Sequence, residues 1–199
     1  MQGTSLWQKQ PKANAELFAL TYGALVSELV RDLESADEIQ QQLDTMGHSI
    51  GIRCIEELLA KLMMENSTAS SVSSSPNFVE SAELVKLTFR MFLGVVAETA
   101  PVADKPEAAY TCTFAENPLA LFVELPAADD GDSGPLSGGN RLEYSQLLCG
   151  IMRGVLEMLQ FDVTCRMTAS TLFGDDTNTM LVELQQVLQQ GAGEDYQEE

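Results

Sequence analysis

Few residues in this chain are suited to catalysis. It contains a single histidine, His48, so any Ser–His–Asp or Cys–His pair would have to use that residue. His48 follows Gly47, a residue typical of helix ends, and we therefore expect a helix-terminal or surface histidine. Asp175 and Asp176 lie in the segment GDDTN, which favours a turn over a metal site. With no phosphate-binding glycine motif and no zinc-ligand spacing, the sequence predicts a protein that is not an enzyme.

The cysteines give no sign of a metal or redox site. Cys54, Cys112, Cys149 and Cys165 are far apart and form no CxxC pair, so we expect reduced thiols. An enzyme that uses Cys54 or Cys149 as its nucleophile stays open as an alternative hypothesis. Cys149 lies within an apolar helical segment, where a thiolate is disfavoured, and we expect it to be inert.

Charge narrows the classes of partner. The 199 residues carry 11 Lys and Arg against 30 Asp and Glu, a formal net charge of -19. Such a chain is not attracted to nucleic acid or to an anionic membrane by its overall field, whereas its acidic patches suit basic partners. The sequence begins without a secretory signal pattern and has no run of about 18 apolar residues. We therefore expect a cytoplasmic protein with one domain.

The strongest structural signal is the segment 143–161, in which apolar residues recur at three- and four-residue spacing. Gly150 and Gly154 lie one turn apart inside it, and each costs about 1 kcal/mol relative to alanine in a helix. The main interpretation is a core helix with a tight crossing, and the alternative is a ligand groove along the glycine face. Arg153 either reaches solvent or pairs with a carboxylate across a helix contact.

Capping signals place four further helices. The first begins at Asn14 and runs to about residue 34, and a short second helix begins at Ser35 and ends at Gly47. The third covers about 49–64. The fourth follows an N-cap at Ser75 and ends at Gly94. The first helix is predicted to be amphipathic, with one apolar stripe: Phe18, Tyr22, Leu25, Leu29 and Leu33.

Other segments alternate with the period of a strand. Apolar residues alternate over 110–114 and 163–167, and again over 180–184, where the last two segments form a hairpin. A shorter strand is expected within 95–103. The sequence thus predicts an α+β fold, with four or five helices packed on one face of a small antiparallel sheet of about four strands.

The remaining segments are too polar to form a core. We expect a disordered N-terminus over 1–12, flexible loops at 65–75 and 127–140, and an acidic tail at 191–199. A single domain then covers 13–190.

Four segments together resemble the BET-three type of small subunit in the TRAPP (transport protein particle) complex, in the right order and over about residues 14–195. The third and fourth are the most specific. The segments are LTYGALVSELV (20–30), LDTMGHSIGIRCIEELLA (43–60), NPLALFVELP (117–126) and YSQLLCGIMRGVLEMLQ (144–160).

This resemblance implies a non-catalytic subunit that forms homodimers or heterodimers with other small TRAPP subunits. The complex is a guanine-nucleotide exchange factor for a Rab GTPase in ER-to-Golgi and Golgi vesicle tethering. The location implied is cytoplasmic, peripheral to cis-Golgi and ER membranes through the complex. A lipid-binding module that dimerises is the alternative function.

The resemblance also implies site residues. In the family the C-terminal tail can approach the GTPase nucleotide site, which makes Gly193, Glu194 and Asp195 candidate contacts. The family pattern places a dimer face on the first two helices: Leu17, Phe18, Leu25, Leu29 and Leu43.

Family members often carry an acylated cysteine just before the fourth helix, within a buried apolar tunnel. Ser75 stands at that position and cannot form a thioester, so we expect no acylation there and no cofactor. The tunnel is then either an apolar cavity able to hold a fatty acyl chain or is filled by side chains.

Overall fold

A computed structural model describes residues 7–64, 77–125 and 141–188. Four α-helices form one layer: α1 (Ala15–Asp32), α2 (Ala36–Met64), α3 (Phe78–Thr88) and α4 (Gln146–Met158). A π-helical turn, Phe89–Leu93, continues α3 and ends at Gly94, whose φ of 71° suits a residue without Cβ. The end predicted for this helix is therefore confirmed.

The second layer is a four-stranded antiparallel sheet in the order β1-β2-β4-β3. Its strands are β1 (Ala97–Pro101), β2 (Ala109–Phe114), β3 (Phe161–Ala169) and β4 (Asn178–Val187). Residues on β4 alternate between buried and partly exposed, so one face of the sheet is covered by the helices. The predicted α+β fold and the terminal hairpin are confirmed.

The predicted break at Gly47 is wrong, because α2 runs through it as one helix of 29 residues. Its start is as expected, since the Ser35 hydroxyl accepts a hydrogen bond from Glu38 N at 3.2 Å. Gly47 does not cap a helix. A Cβ on Gly47 would lie 2.2 Å from the carbonyl oxygen of Leu147, so glycine is required by contact with a facing helix.

Two other boundaries differ from expectation. Asn77, not Ser75, caps α3, because its Oδ1 accepts from Val79 N at 2.8 Å. The central helix α4 is shorter than 143–161, because Gln160 adopts φ 71° and turns the chain into β3. Ser75 itself lies outside the described residues.

Part of the N-terminus has defined contacts. The Trp7 ring lies against Gly94, where an added Cβ would be 2.6 Å from the nearest ring atom. The Lys12 ammonium lies over the same ring, 3.3 Å from its centroid, in a cation–π contact. Residues 7–12 of the segment 1–12 for which disorder is predicted are thus among the described residues, and the disorder stays a prediction. The expected loops at 65–75 and 127–140 and the tail at 191–199 lie outside the described residues.

Candidate functional site: an interaction surface

The crossing of α2 and α4 is built on four glycines. A Cβ on any of them would lie 2.1–2.3 Å from a carbonyl oxygen of the facing helix, far inside van der Waals contact. The facing pairs are Gly47 with Leu147, Gly51 with Ile151, Gly150 with Asp44, and Gly154 with His48. The interpretation of 143–161 as a helix with a tight crossing is confirmed. The glycine face is filled by backbone, which excludes a ligand groove there.

Polar side chains border this crossing. The Asp44 carboxylate accepts from Arg153 Nη2 at 2.5 Å and from its Nε at 3.1 Å, so Arg153 pairs across the helix contact. His48 Nε2 lies 2.6 Å from Glu157 Oε2 and donates a hydrogen bond to it when Nε2 carries the proton. His48 is therefore a half-buried residue within α2, and the prediction that it lies at a helix end is wrong.

Among the described residues, the side chains considered for catalysis bind other partners, as His48 does with Glu157. All four cysteines are free thiols, and Cys112 and Cys149 are completely buried. Burial raises the pKa of the Cys112 thiol to about 12 and that of Cys149 well above its usual value, so both stay protonated and unreactive. The Asp175 carboxylate accepts a hydrogen bond from Ser170 N at 2.8 Å, as a turn residue does. No group of carboxylates, cysteines and histidine within the described residues could hold a metal.

These thiols give a direct test of the non-catalytic assignment. In the native protein at neutral pH we expect a maleimide to modify the half-buried Cys54 before Cys112 and Cys149, which react only when the protein is unfolded in denaturant. Peptide mapping by mass spectrometry measures the order. Rapid native labelling of Cys149 would contradict the expectation and revive a nucleophilic cysteine.

Helix α1 exposes much of its apolar surface. Ala19, Tyr22 and Val26 face the core, whereas Leu17, Phe18, Leu20 and Leu25 are 65, 47, 58 and 37% exposed. Within the apolar stripe predicted on this helix, Tyr22 is thus buried, whereas Phe18 and Leu25, two of the candidate dimer-face residues, are exposed. Leu29 is half-buried against the core.

Leu43, grouped with α1 as a candidate dimer face, has no exposed surface. It lies in the core of the protomer, so it does not belong to any surface that this protomer offers to a partner.

The segment after β2 runs close to α1. Asn117 anchors it, because its Nδ2 donates to the Ser145 hydroxyl at 2.8 Å and its Oδ1 accepts from Leu119 N at 3.1 Å. Beyond the buried Leu119, the chain turns and exposes Leu121 and Phe122 by more than half.

A groove of about 450 Å³ lies between α1 and residues 122–125, and we name it the α1 groove. The side chains of Leu142 and Tyr144 complete its lining. The Tyr22 hydroxyl donates a hydrogen bond to the carbonyl oxygen of Tyr144 at 2.6 Å, which links α1 to the segment that completes the lining.

Sequence reasoning did not identify Tyr144 or Phe122 as surface-forming residues, although both lie in segments that carry the family resemblance. The signal available was two adjacent apolar residues, Leu121 and Phe122, in a segment that also has turn character. The candidate tail contacts Gly193, Glu194 and Asp195 lie outside the described residues. In the part of the chain that the structure describes, no helix is long and apolar enough to cross a membrane.

Comparison with known proteins identifies the family to which this chain is related. Residues 18–183 match the model of the transport protein particle (TRAPP) component family. The chain is 41% identical to trafficking protein particle complex subunit 3 of Dictyostelium discoideum, over 94% of this chain and 91% of that protein. It is 37% identical to transport protein particle subunit bet3 of Schizosaccharomyces pombe, over 94 and 93% of the two chains.

A solved structure agrees with these sequences. The crystal structure of a trafficking protein particle complex subunit 3 from Naegleria fowleri, covalently bound to palmitic acid, superimposes with a TM-score of 0.73. That protein is 35% identical, and the match covers 89% of this chain and 98% of the other. The fold, the sequence relatives and the family model agree over nearly the whole length, and the chain therefore belongs to the TRAPP component family.

Proposed function

We propose that this chain is a non-catalytic core subunit of a TRAPP-like vesicle-tethering complex that acts as a Rab guanine-nucleotide exchange factor in ER-to-Golgi and Golgi transport. The family match over residues 18–183 carries the proposal. It is supported by the exposed apolar surface of α1 and by the complete burial of Cys149, one of the two cysteines considered as nucleophiles. An exposed apolar surface of this kind is typical of a protein that functions in an assembly.

In this role the subunit holds other proteins in place. Its exposed leucines and aromatics bind other small TRAPP subunits, and the assembled complex contacts the GTPase. Gly193, Glu194 and Asp195 are the residues that we propose to approach the GTPase nucleotide site. Membrane contact is peripheral and occurs through the complex, because a net charge of -19 repels an anionic leaflet.

Affinity purification of the tagged chain from its own cells tests the proposal. We expect several small TRAPP subunits to be retained, together with a Rab in its nucleotide-free form. The purified complex should accelerate nucleotide release from that Rab, and removal of residues 191–199 should slow release while leaving the assembly intact. Recovery of the chain without any TRAPP subunit would reject the proposal.

A lipid-binding module remains the second candidate, because the Naegleria fowleri relative was crystallised with covalent palmitic acid. We infer that Ser75 occupies the position of the family's acylated cysteine, and its hydroxyl cannot give the thioester of a cysteine. We therefore propose that the native chain carries no acyl group at that position.

Substitution of Ser75 tests whether only the thiol is missing. We expect Ser75→Cys, incubated with palmitoyl-coenzyme A, to gain the mass of one palmitoyl group that hydroxylamine removes, while the wild-type chain keeps its unmodified mass. Ser74→Cys is the matched control, since it offers a thiol one residue away. If the wild type is acylated, or if both variants stay unmodified, the proposed correspondence between Ser75 and the acylated cysteine is wrong.

A further inference from the structure

We propose that the free edge of β1 binds an extended acidic segment of another protein, which adds a fifth strand to the sheet and places carboxylates against Lys12 and Arg90. None of the residues involved lines the α1 groove, and the site goes beyond the subunit contacts proposed above. It combines two cations, an exposed apolar residue and an open strand edge, and each of these features restricts the ligand.

The N-terminal segment brings the two cations together. The Trp7 ring contacts both Gly94 and the Lys12 ammonium, and Arg90 Nη1 donates a hydrogen bond to the carbonyl oxygen of Gly94 at 2.8 Å. Lys12 and Arg90 each donate to a neutral backbone carbonyl. Desolvation, and after it the positive charge of Arg90, lower the pKa of the Lys12 ammonium. A bound anion would relieve the repulsion between the two cations.

These two cations have no carboxylate partner in the part of the chain that the structure describes, whereas neighbouring cations do. Lys61 contacts the same N-terminal segment but pairs with Glu57. Lys86 lies one turn before the second cation on α3 and pairs with Glu83. In a chain with 30 acidic and 11 basic residues, two adjacent cations without a carboxylate form a distinct basic site. Guanidinium and ammonium groups together suit carboxylates.

Strand β1 leaves one edge open, because only β2 pairs with it. The hydrogen bond from Val102 N to the carbonyl oxygen of Ala109, at 3.0 Å, fixes which groups of β1 point to β2. In steps of two along the register, the backbone groups of Ala97 and Thr99 point away from β2, as does the carbonyl oxygen of Pro101. Since proline has no N–H, the donors of this edge lie at its start, toward the cations.

One peptide can reach both the edge and the cations. Gly94, which accepts the hydrogen bond from Arg90, lies three residues before Ala97, and extended chain of that length spans at most about 11 Å. Val96 lies between them and is 64% exposed, so an apolar side chain of the peptide can cover it. Glu98 projects from the sheet face opposite to the buried Ala97, away from the helix layer that carries Arg90.

The overall charge favours a peptide over a membrane. An anionic bilayer would meet a wide surface of a chain with a net charge of -19. A peptide interacts mainly with charges within about 8 Å at physiological ionic strength. A lipid headgroup also lacks the regular backbone donors and acceptors that pair with a strand edge. The ligand that fits has acidic residues at one end and alternating apolar and polar residues at the other.

Fluorescence anisotropy with labelled synthetic peptides and the full chain tests the site. The probes carry three aspartates followed, or preceded, by alternating valine and threonine, since an edge strand accepts a parallel or an antiparallel partner. We expect one of them to bind and added salt to weaken its binding. Lys12→Glu and Arg90→Glu should each weaken binding at least about tenfold.

Peptide variants separate strand addition from simple charge attraction. N-methylation of one set of alternate amides should abolish binding, because a methylated nitrogen cannot donate to β1. N-methylation of the other set, which points away from the protein, should leave binding unchanged.

Arg166→Glu is the matched control on the protein side. It makes the same charge change on β3, the other edge strand, where Arg166 is exposed. We expect this variant to bind the peptide as the wild type does. Circular dichroism verifies that each variant is folded, and Lys12→Glu, at an exposed position, keeps the test valid if Arg90→Glu lowers stability.

Three results would overturn the inference. The first is that neither peptide binds at millimolar concentration. The second is that both N-methylated peptides bind as well as the unmodified one, which would leave charge attraction alone. The third is that phosphatidylserine vesicles bind in a manner that Lys12→Glu abolishes while neither peptide binds, which would assign the cations to a membrane surface.

Discussion

Gly47→Ala is expected to destabilise the domain by at least about 3 kcal/mol, a large share of the roughly 5–15 kcal/mol typical of a folded domain. Alanine normally stabilises a helix interior by about 1 kcal/mol relative to glycine. Here the new methyl group would lie 2.2 Å from the Leu147 carbonyl oxygen and 3.0 Å from Gly150 Cα. Backbone atoms cannot rotate away, so α2 and α4 must separate and lose contacts along their crossing. Urea denaturation followed by circular dichroism measures the change.

Gly23→Ala is the matched control, because it makes the same substitution in a helix of the same protein. Its Cβ would make only an ordinary contact of 3.5 Å, and we expect unchanged or slightly higher stability. The double variant Gly47→Ala/Gly150→Ala should lose less than the sum of the single losses, because separation of the helices relieves both contacts. Equal stability of Gly47→Ala and Gly23→Ala would show that the crossing tolerates a methyl group.

Asn178→Ala is expected to cost about 2–4 kcal/mol, because it removes one buried and three part-buried hydrogen bonds at once. Asn178 has no exposed surface, and its amide donates to the carbonyl oxygens of Phe114 and Ala115 at 3.4 and 3.2 Å. Its oxygen accepts from the backbone nitrogen and hydroxyl of Thr171, both at 3.2 Å. The substitution would leave the buried carbonyl oxygen of Phe114 without this partner, and would also remove the part-buried hydrogen bonds to Ala115 and Thr171.

Gln185→Ala provides the comparison on the same strand. Gln185 also carries an amide that donates a hydrogen bond, to the Thr164 hydroxyl at 3.1 Å, but it is exposed. Water replaces that partner, so we expect a change within about 0.5 kcal/mol. Similar losses for the two variants, measured by thermal denaturation, would mean that burial does not set the importance of Asn178.

The sequence contained enough to predict the elements and one tertiary contact. Alternation identified the strands, and Gly150 and Gly154 indicated a close crossing because glycine within a helix needs a compensating gain. The same reasoning gave a wrong prediction of a helix end at Gly47, because a glycine after an apolar run is typical of a helix end as well as of a helix crossing. Only the position of the facing helix distinguishes a helix end from a helix crossing, and the local sequence holds no information about that position.

The interaction surface was harder to predict for a different reason. Helix α1 is apolar on more than one side, so periodicity did not show which side faces the core. The predicted stripe combined the buried Tyr22 with the exposed Phe18 and Leu25, and it did not include Ala19 and Val26, which face the core with Tyr22. The groove depends on two segments at least 90 residues apart in sequence, α1 and 122–125. Such pairings follow from the tertiary fold alone.

Trp7 is the only tryptophan of the chain, and its ring lies against Gly94 at the end of the turn that follows α3. Indole emission depends on how far the ring is shielded from water, and no second indole contributes to the signal. Emission therefore reports release of the N-terminal segment, while circular dichroism reports the helices. Recorded together during a denaturant titration, the two signals separate detachment of this segment from unfolding of the domain without any added label.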